Sequence, residues 1–249
     1  MVVIKSSQEI EKMRRAGQVV REVLELVRGM VKPGVTTLEL EKAAEARLKE
    51  RNAKPAFKGY HGFPCVLCTS VNHEVVHGIP SPKRILIEGD IVSVDCGAIV
   101  DGYYGDAAIT VPVGEKIDPK TARLLKVTEL SLNTAIAAVR PGATLGDIGA
   151  AVQDVVEAEG FSIVRDFVGH GIGVHMHEDP QVPNFGQKGR GMKLRAGMVI
   201  AIEPMVNAGK ADVQVLGDGW TAVTGDGSMS AHFEHTVAVT ATGARILTE

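Results

Sequence analysis

The stretch Ile91 to Val111, IVSVDCGAIVDGYYGDAAITV, sets two aspartates inside what otherwise reads as a pair of apolar strands. Asp is depleted in strand interiors, so two of them there need a physical reason. The Asp101-Gly102 step between apolar runs is a strong hairpin signal, and a two-residue loop at that step pairs Val100 with Tyr103. The same register sets Asp95 opposite Ala108, which places Asp106 on the face of Asp95 and diagonal to it, within side-chain reach. Two carboxylates that close in a partly dry site repel, so either one takes up a proton or a cation lies between them.

Two broad function classes are disfavoured by the rest of the chain. Its 249 residues carry a net charge of −3, which gives no general attraction to nucleic acid or to an anionic membrane and leaves only local basic patches such as Lys188 to Lys193. No apolar run approaches the ~20 residues of a membrane span, and the N-terminus lacks the apolar core of a signal peptide. Cytoplasmic residence is therefore the expectation. The cysteines, Cys65, Cys68 and Cys96, fit a reducing compartment. Cys65 and Cys68 form a C-x-x-C with no second pair to complete a zinc site, so they read as small buried hydrophobes.

In chain order, Ser6 and Glu9 form a capping box before a helix with Ile10, Met13, Gly17, Val20, Leu24 and Val27 on one stripe. Pro33 and Gly34 end it. Thr36 and Glu39 open a second helix to about Asn52, with Leu38, Ala43, Ala44 and Leu48 inward. Residues 54 to 82, rich in Gly, Pro and His, read as short strands and loops. After the hairpin, Asp118 and Pro119 start a helix that runs to about Val139.

The chain then repeats itself. VKPGVT at Val31 to Thr36 is echoed by VRPGAT at Val139 to Thr144, and the same 108-residue offset carries GDIVSVD at 89 to 95 onto GMVIAIE at 197 to 203. Asp95 falls on Glu203. A period that long, seen twice, reads as a duplicated half-domain rather than a solenoid. The turn DGY at Asp101 to Tyr103 has its counterpart in DGW at Asp218 to Trp220, and a hairpin centred on the second turn would face Glu203 with Glu234.

Four carboxylates thus converge: Asp95, Asp106, Glu203 and Glu234. In FVGHGIGVHMHEDP, residues 167 to 180, His170 lies between glycines that let the backbone approach a site closely. A single histidine is more often structural than a ligand, but imidazole beside carboxylates suits divalent iron, cobalt, manganese or zinc. Four carboxylates and a histidine exceed what one ion with an open position needs and suit a two-metal site. Two cations about 3.5 to 4 Å apart can together hold a hydroxide and polarise a carbonyl, which is hydrolytic machinery. His77 and His177 are candidates to hydrogen-bond a substrate carbonyl or an oxyanion.

The ordered set Asp95, Asp106, His170, Glu203 and Glu234, with GYHGFP, HGIP, GHGIG, HEDPQVPN, IEPMVNAG, DGW and FEHTVAVT, resembles the type I bacterial methionine aminopeptidases over nearly all of the chain. The resemblance implies the α/β pita-bread fold, an antiparallel central sheet covered by helices, in one internally duplicated catalytic domain with halves at about 1–116 and 117–249. It implies two divalent ions, of Co, Fe, Mn, Zn or Ni. Asp95 would bind one, His170 and Glu203 the other, and Asp106 and Glu234 would bridge. Glu203 would act as general base, and His77 and His177 would steady the carbonyl and the leaving nitrogen. The substrate's free amine would bind beside Asp95.

By position in the motifs, Tyr60, Phe63, Cys68 and Trp220 would surround the methionine side chain. Phe63 replaces a frequent tyrosine, Met176 a common aromatic and His232 a common glutamine. The implied substrate is the initiator methionine of nascent chains whose second residue is small, handled by a monomer that meets the ribosome transiently. An Xaa-Pro aminopeptidase or prolidase of the same fold is the nearest alternative, and a non-enzymatic binding module of that fold is the next.

Overall fold

The computed structural model describes residues 2–249. Three capping boxes and one Asp-Pro start define its helices. The Ser6 hydroxyl accepts from the Glu9 amide and the Ser6 amide donates to Glu9, opening α1 (Ser7–Met30). Thr36 and Glu39 repeat this at α2 (Thr37–Glu50). Asp118 accepts from the Thr121 amide at the start of α3 (Pro119–Ala138), with Pro119 in the position whose missing N–H costs nothing. Thr144 and Asp147 open α4 (Leu145–Ala158).

The stripe expected on α2 is rotated. Leu40, Glu41, Ala44 and Leu48 are buried, whereas Leu38 and Ala43 are half-buried. The reason is polar: the Glu41 carboxylate accepts the Val66 and Leu67 amides at 2.8 and 2.9 Å, so an acid takes a core-facing position. Apolar periodicity cannot register such a residue.

Between α2 and α3 lie β1 (Lys54–Pro55), a 3-10 turn at Tyr60–Gly62, β2 (Leu67–Val71), β3 (Glu74–Val76), β4 (Ile91–Val100) and β5 (Tyr103–Pro112). After α4 come β6 (Ser162–Ile163), β7 (Gly169–Gly171), β8 (Glu178–Val182), β9 (Val199–Ile202), β10 (Met205–Asn207), β11 (Val213–Val215), β12 (Ala222–Thr224), β13 (Ser230–His232), β14 (Glu234–Val239) and β15 (Ala244–Ile246). Nine strands form one antiparallel sheet in the order β1-β4-β5-β14-β9-β7-β8, with β2 also on β4 and β15 also on β14. The remaining strands make two three-stranded sheets, β13-β10-β6 and β11-β12-β3.

The β4-β5 hairpin has the expected register, with Val100 opposite Tyr103 and Asp95 opposite Ala108. Ala108 is in turn opposite Glu234, so β4, β5 and β14 carry Asp95, Ala108 and Glu234 in one cross-strand row. The join between β5 and β14 is where the N-terminal and C-terminal parts of the sheet meet. Each part has its own helix pair and core: α1 and α2 cover β2, β4 and β5, and α3 and α4 cover β9 and β14.

A glycine hydrogen bond recurs 108 residues apart. The Gly34 amide donates to Leu86 and the Gly142 amide to Leu194, at 2.8 and 2.9 Å, and the equivalent glycines Gly89 and Gly197 donate to Val113 and Val239, acceptors that do not keep the offset. Gly89 and Gly197 both have φ of 90°, a conformation that only glycine adopts without strain.

The segment from Glu203 to Glu234 is one long hairpin. Ile202 pairs with His235, Met205 with His232 and Val215 with Ala222, which is a single register centred between Asp218 and Gly219. The arms leave the large sheet and enter both small ones, yet no residue is gained on either arm.

Candidate metal centre and substrate pocket

Each acid is presented by a strand or a strand end. Asp95 and Asp106 project from β4 and β5, Glu203 directly follows β9, and Glu234 begins β14. The Thr236 hydroxyl fixes the Asp106 backbone from both sides, accepting from its amide at 3.1 Å and donating to its carbonyl at 2.7 Å. Asn184 Nδ2 donates to the Glu203 carbonyl at 3.0 Å. His170 comes from β7, whose flanking glycines lie so close to the Ala201 and Asp179 carbonyls that a Cβ at either position would collide.

The structure brings the four acids and His170 to the wall of one cavity of about 270 Å³. Asp106, His170 and Glu234 each offer a ligand atom within 4.8 Å of the others, and His170 Nε2 lies 3.5 Å from Glu203 Oε1 and 3.9 Å from Asp106 Oδ2. His170 Nδ1 is 3.0 Å from the Gly171 carbonyl oxygen. A carbonyl only accepts, so Nδ1 carries the proton and Nε2 turns a lone pair toward the acids.

The Nε2 lone pair of His170 therefore joins a cluster of carboxyl oxygens. Asp95 Oδ1, Asp106 Oδ1 and Glu234 Oε1 are buried without a hydrogen-bond partner. Burial and mutual charge push the carboxyls of Asp106, Glu203 and Glu234 well above their ordinary range, and burial raises Asp95 as well. Burial holds His170 down at about 4, so it supplies no positive charge near neutral pH. Orphaned oxygens and an inward imidazole lone pair fit divalent cations, whose charge removes the penalty of burying several carboxylates together.

His77 follows β3 with φ of 61°, an uncommon conformation for a residue with a Cβ, and its ring meets Phe167 edge-on at 5.6 Å. Burial, with His177 nearby, lowers it to about 4. His177 is exposed at the pocket mouth, where its ring stands 4.3 Å from that of His170. Both histidines line the cavity with the acids.

Tyr60, Phe63, Cys68 and Trp220, expected around a methionine side chain, line the same cavity. Phe63 and Trp220 meet edge to face at 5.2 Å, and Asp218 secures the Trp220 turn by accepting the Trp220 and Thr221 amides. Cys68 is opposite Asp95 across β2 and β4. Burial and the charge of Asp95 push its thiol well up, so it is an apolar wall rather than a nucleophile. Cys65, Cys68 and Cys96 are free, and Cys65 is pushed up to about 11 by burial.

Several lining residues were not anticipated as such. Phe57 and Met176 are buried in the cluster with Phe63 and Cys68. His232 is buried with Nε2 unpartnered, 4.0 Å from Glu203 Oε2. Only Met176 and His232 carried any signal in the sequence, as departures from the usual motif.

The model of metallopeptidase family M24 matches residues 11–241. Methionine aminopeptidase from Clostridium acetobutylicum is 53% identical over 248 residues, covering 100% of this chain and 99% of that protein. The crystal structure of methionine aminopeptidase from Thermotoga maritima superposes with a TM-score of 0.98 at 51% identity, covering 100% of both chains. The prolidase from Pyrococcus horikoshii has a TM-score of 0.81 at 24% identity over 64% of its own chain, which is a likeness of fold.

Proposed function

The chain belongs to the bacterial methionine aminopeptidases of metallopeptidase family M24, with their pita-bread fold, and from that premise we propose how its own residues remove an N-terminal methionine. It is a metal-dependent hydrolase, and the cleaved bond is the first peptide bond of the substrate. Asp95, Asp106, His170, Glu203 and Glu234 are the residues that would hold divalent cations here. Such ions, when bound, would lower the pKa of an attacking water and polarise the scissile carbonyl.

Glu203 accepts the proton of the attacking water on its carboxylate and delivers it to the leaving nitrogen as the C–N bond breaks. The new C–O bond places charge on the former carbonyl oxygen, toward which His77 and His177 donate. Tyr60, Phe63, Cys68, Met176 and Trp220 enclose the methionine side chain, since aromatic faces and sulfur suit a thioether. The substrates are nascent chains and peptides with a small second residue, met in the cytoplasm near the ribosome by a monomer.

One observation carries this reading: three buried carboxylate oxygens without partners converge on a cavity into which His170 also turns a lone pair. A panel of Met-Ala-Ser, Met-Leu-Ser and Ala-Pro peptides tests it. Free methionine is expected from the first and little product from the others. Cleavage of Ala-Pro with Met-Ala-Ser untouched would overturn it in favour of a proline-directed peptidase.

A further inference from the structure

We propose that Tyr60 is a positioning residue, whose hydroxyl donates to His177 Nδ1 and so fixes the proton of that ring on Nε2. The inference rests on the reading of His177 as the donor to the scissile carbonyl, and it adds a role to a residue otherwise assigned only to the methionine pocket.

The rings of His170 and His177 stand edge to face, with centroids 4.3 Å apart and planes at 70°. Their Nδ1 atoms meet opposite partners. His170 Nδ1 faces the Gly171 carbonyl, which can only accept, so its Nε2 is unprotonated. His177 Nδ1 faces Tyr60 Oη at 2.7 Å, and a phenol can donate. Among the described residues that hydroxyl has no other hydrogen-bond partner, so donation to Nδ1 satisfies it. Burial and the neighbouring Tyr104 also raise its pKa, which keeps the phenol protonated.

A neutral imidazole has one donor and one acceptor. With Nδ1 accepting from Tyr60, Nε2–H is left to donate to a carbonyl or an oxyanion. The reverse tautomer would turn a lone pair toward the substrate oxygen and repel it. Two histidines set edge to face thus hold opposite tautomers, one for a cation and one for an oxygen.

The backbone keeps Tyr60 in place for this task. Its amide donates to the Phe57 carbonyl and its carbonyl accepts from the Phe63 amide, both at 2.9 Å, closing the turn at each end.

The test is Tyr60→Phe, which keeps the ring as pocket wall and removes only the hydroxyl. In zinc-loaded, 15N-histidine-labelled wild-type enzyme, His177 is expected as the Nε2–H tautomer alone, and in Tyr60→Phe as a mixture. On Met-Ala-Ser, kcat is expected to fall about tenfold, the worth of one aligned hydrogen bond, with KM and the preference for Met over Leu nearly unchanged. An Nδ1–H tautomer in the wild type, an unchanged spectrum in the variant, or a loss confined to KM and side-chain preference would overturn it. Failure of wild-type enzyme to release methionine would instead remove the functional reading, and the spectrum would still decide the tautomer.

Discussion

Lys5 Nζ and Glu178 Oε2 form a 2.6 Å ion pair in which both side chains are almost fully buried, at 4% and 7% exposure. The pair joins the N-terminal arm, which is itself bonded to Gly197 through the Lys5 amide, to the loop that presents Met176 and His177. Glu178 Oε1 shapes that loop by accepting the Val174 and His175 amides at 2.8 and 3.1 Å. Removing the lysine leaves a buried carboxylate without its cation, so Lys5→Ala is expected to cost about 3–5 kcal/mol in urea unfolding.

The pH dependence of that loss follows from Glu178. Burial raises its pKa, but the hydrogen bond from Lys5 and those from the loop amides bring it below 4.5. A depressed folded pKa gives stability that is complete above the unfolded value and lost as pH falls through the folded one. The gap between wild type and Lys5→Ala should therefore be full at neutral pH and shrink on acidification below about pH 4. A gap that widens there contradicts the assignment.

Glu203→Gln keeps the volume of the side chain but cannot accept a proton. A fall in kcat of about 10²-fold or more is expected, with a native circular dichroism spectrum, because this is the usual worth of a positioned proton acceptor. Retained kcat would remove Glu203 from its proposed role.

Chelation should destabilise the protein in a pH-dependent way. Without cations, burial and mutual charge raise the carboxyls of Asp106, Glu203 and Glu234. Groups with a raised folded pKa favour the fold at pH below their unfolded values and lose that contribution as pH rises through the folded ones. The Tm of EDTA-treated protein should fall between about pH 5 and pH 8, and added divalent ion should restore most of it at the higher pH. A flat profile would mean that the acids do not share one buried site.

Gly105 is where β5 passes under α1. A Cβ there would lie 2.6 Å from the Gly17 amide nitrogen, which belongs to helix backbone and cannot move aside alone. Gly105→Ala is expected to cost about 1–3 kcal/mol, read from the urea midpoint, because the helix must lift off the sheet that bears Asp106. Gly102→Ala also places a methyl at a glycine, but into open space, so its cost is limited to the strain of φ at 80°.

The parts of the site that were legible in the sequence depend on local rules. Asp-Gly between apolar runs fixes the β4-β5 register and with it the diagonal of Asp95 and Asp106. Glu203 and Glu234 were legible for a less local reason: the arms from Asp218-Gly219 take up equal lengths of chain in each sheet they cross, so the register counted from the turn survives. The starts of α1, α2 and α3 were legible because a capping box or an Asp-Pro step needs only residues at most three apart, whereas the Thr144-Asp147 box that opens α4 emerged only in the structure.

Contacts between distant segments were not legible. Nothing near Tyr60 indicates His177, 117 residues away, and nothing near Lys5 indicates Glu178. Glu41 was hidden for a related reason. Its partners are backbone amides, which have no signature in a side-chain pattern, and so the buried face of α2 turns toward Leu40 and Glu41 while keeping the expected Ala44 and Leu48.

The central claim is that this cavity binds divalent ions and that methionine release depends on them. Its most direct test is free methionine from Met-Ala-Ser, measured with chelated enzyme of verified metal content as a divalent ion is added back. The account predicts no release from stripped enzyme and release that rises with bound metal until the site is full. Full turnover by the stripped enzyme, or none at any metal occupancy, would contradict it.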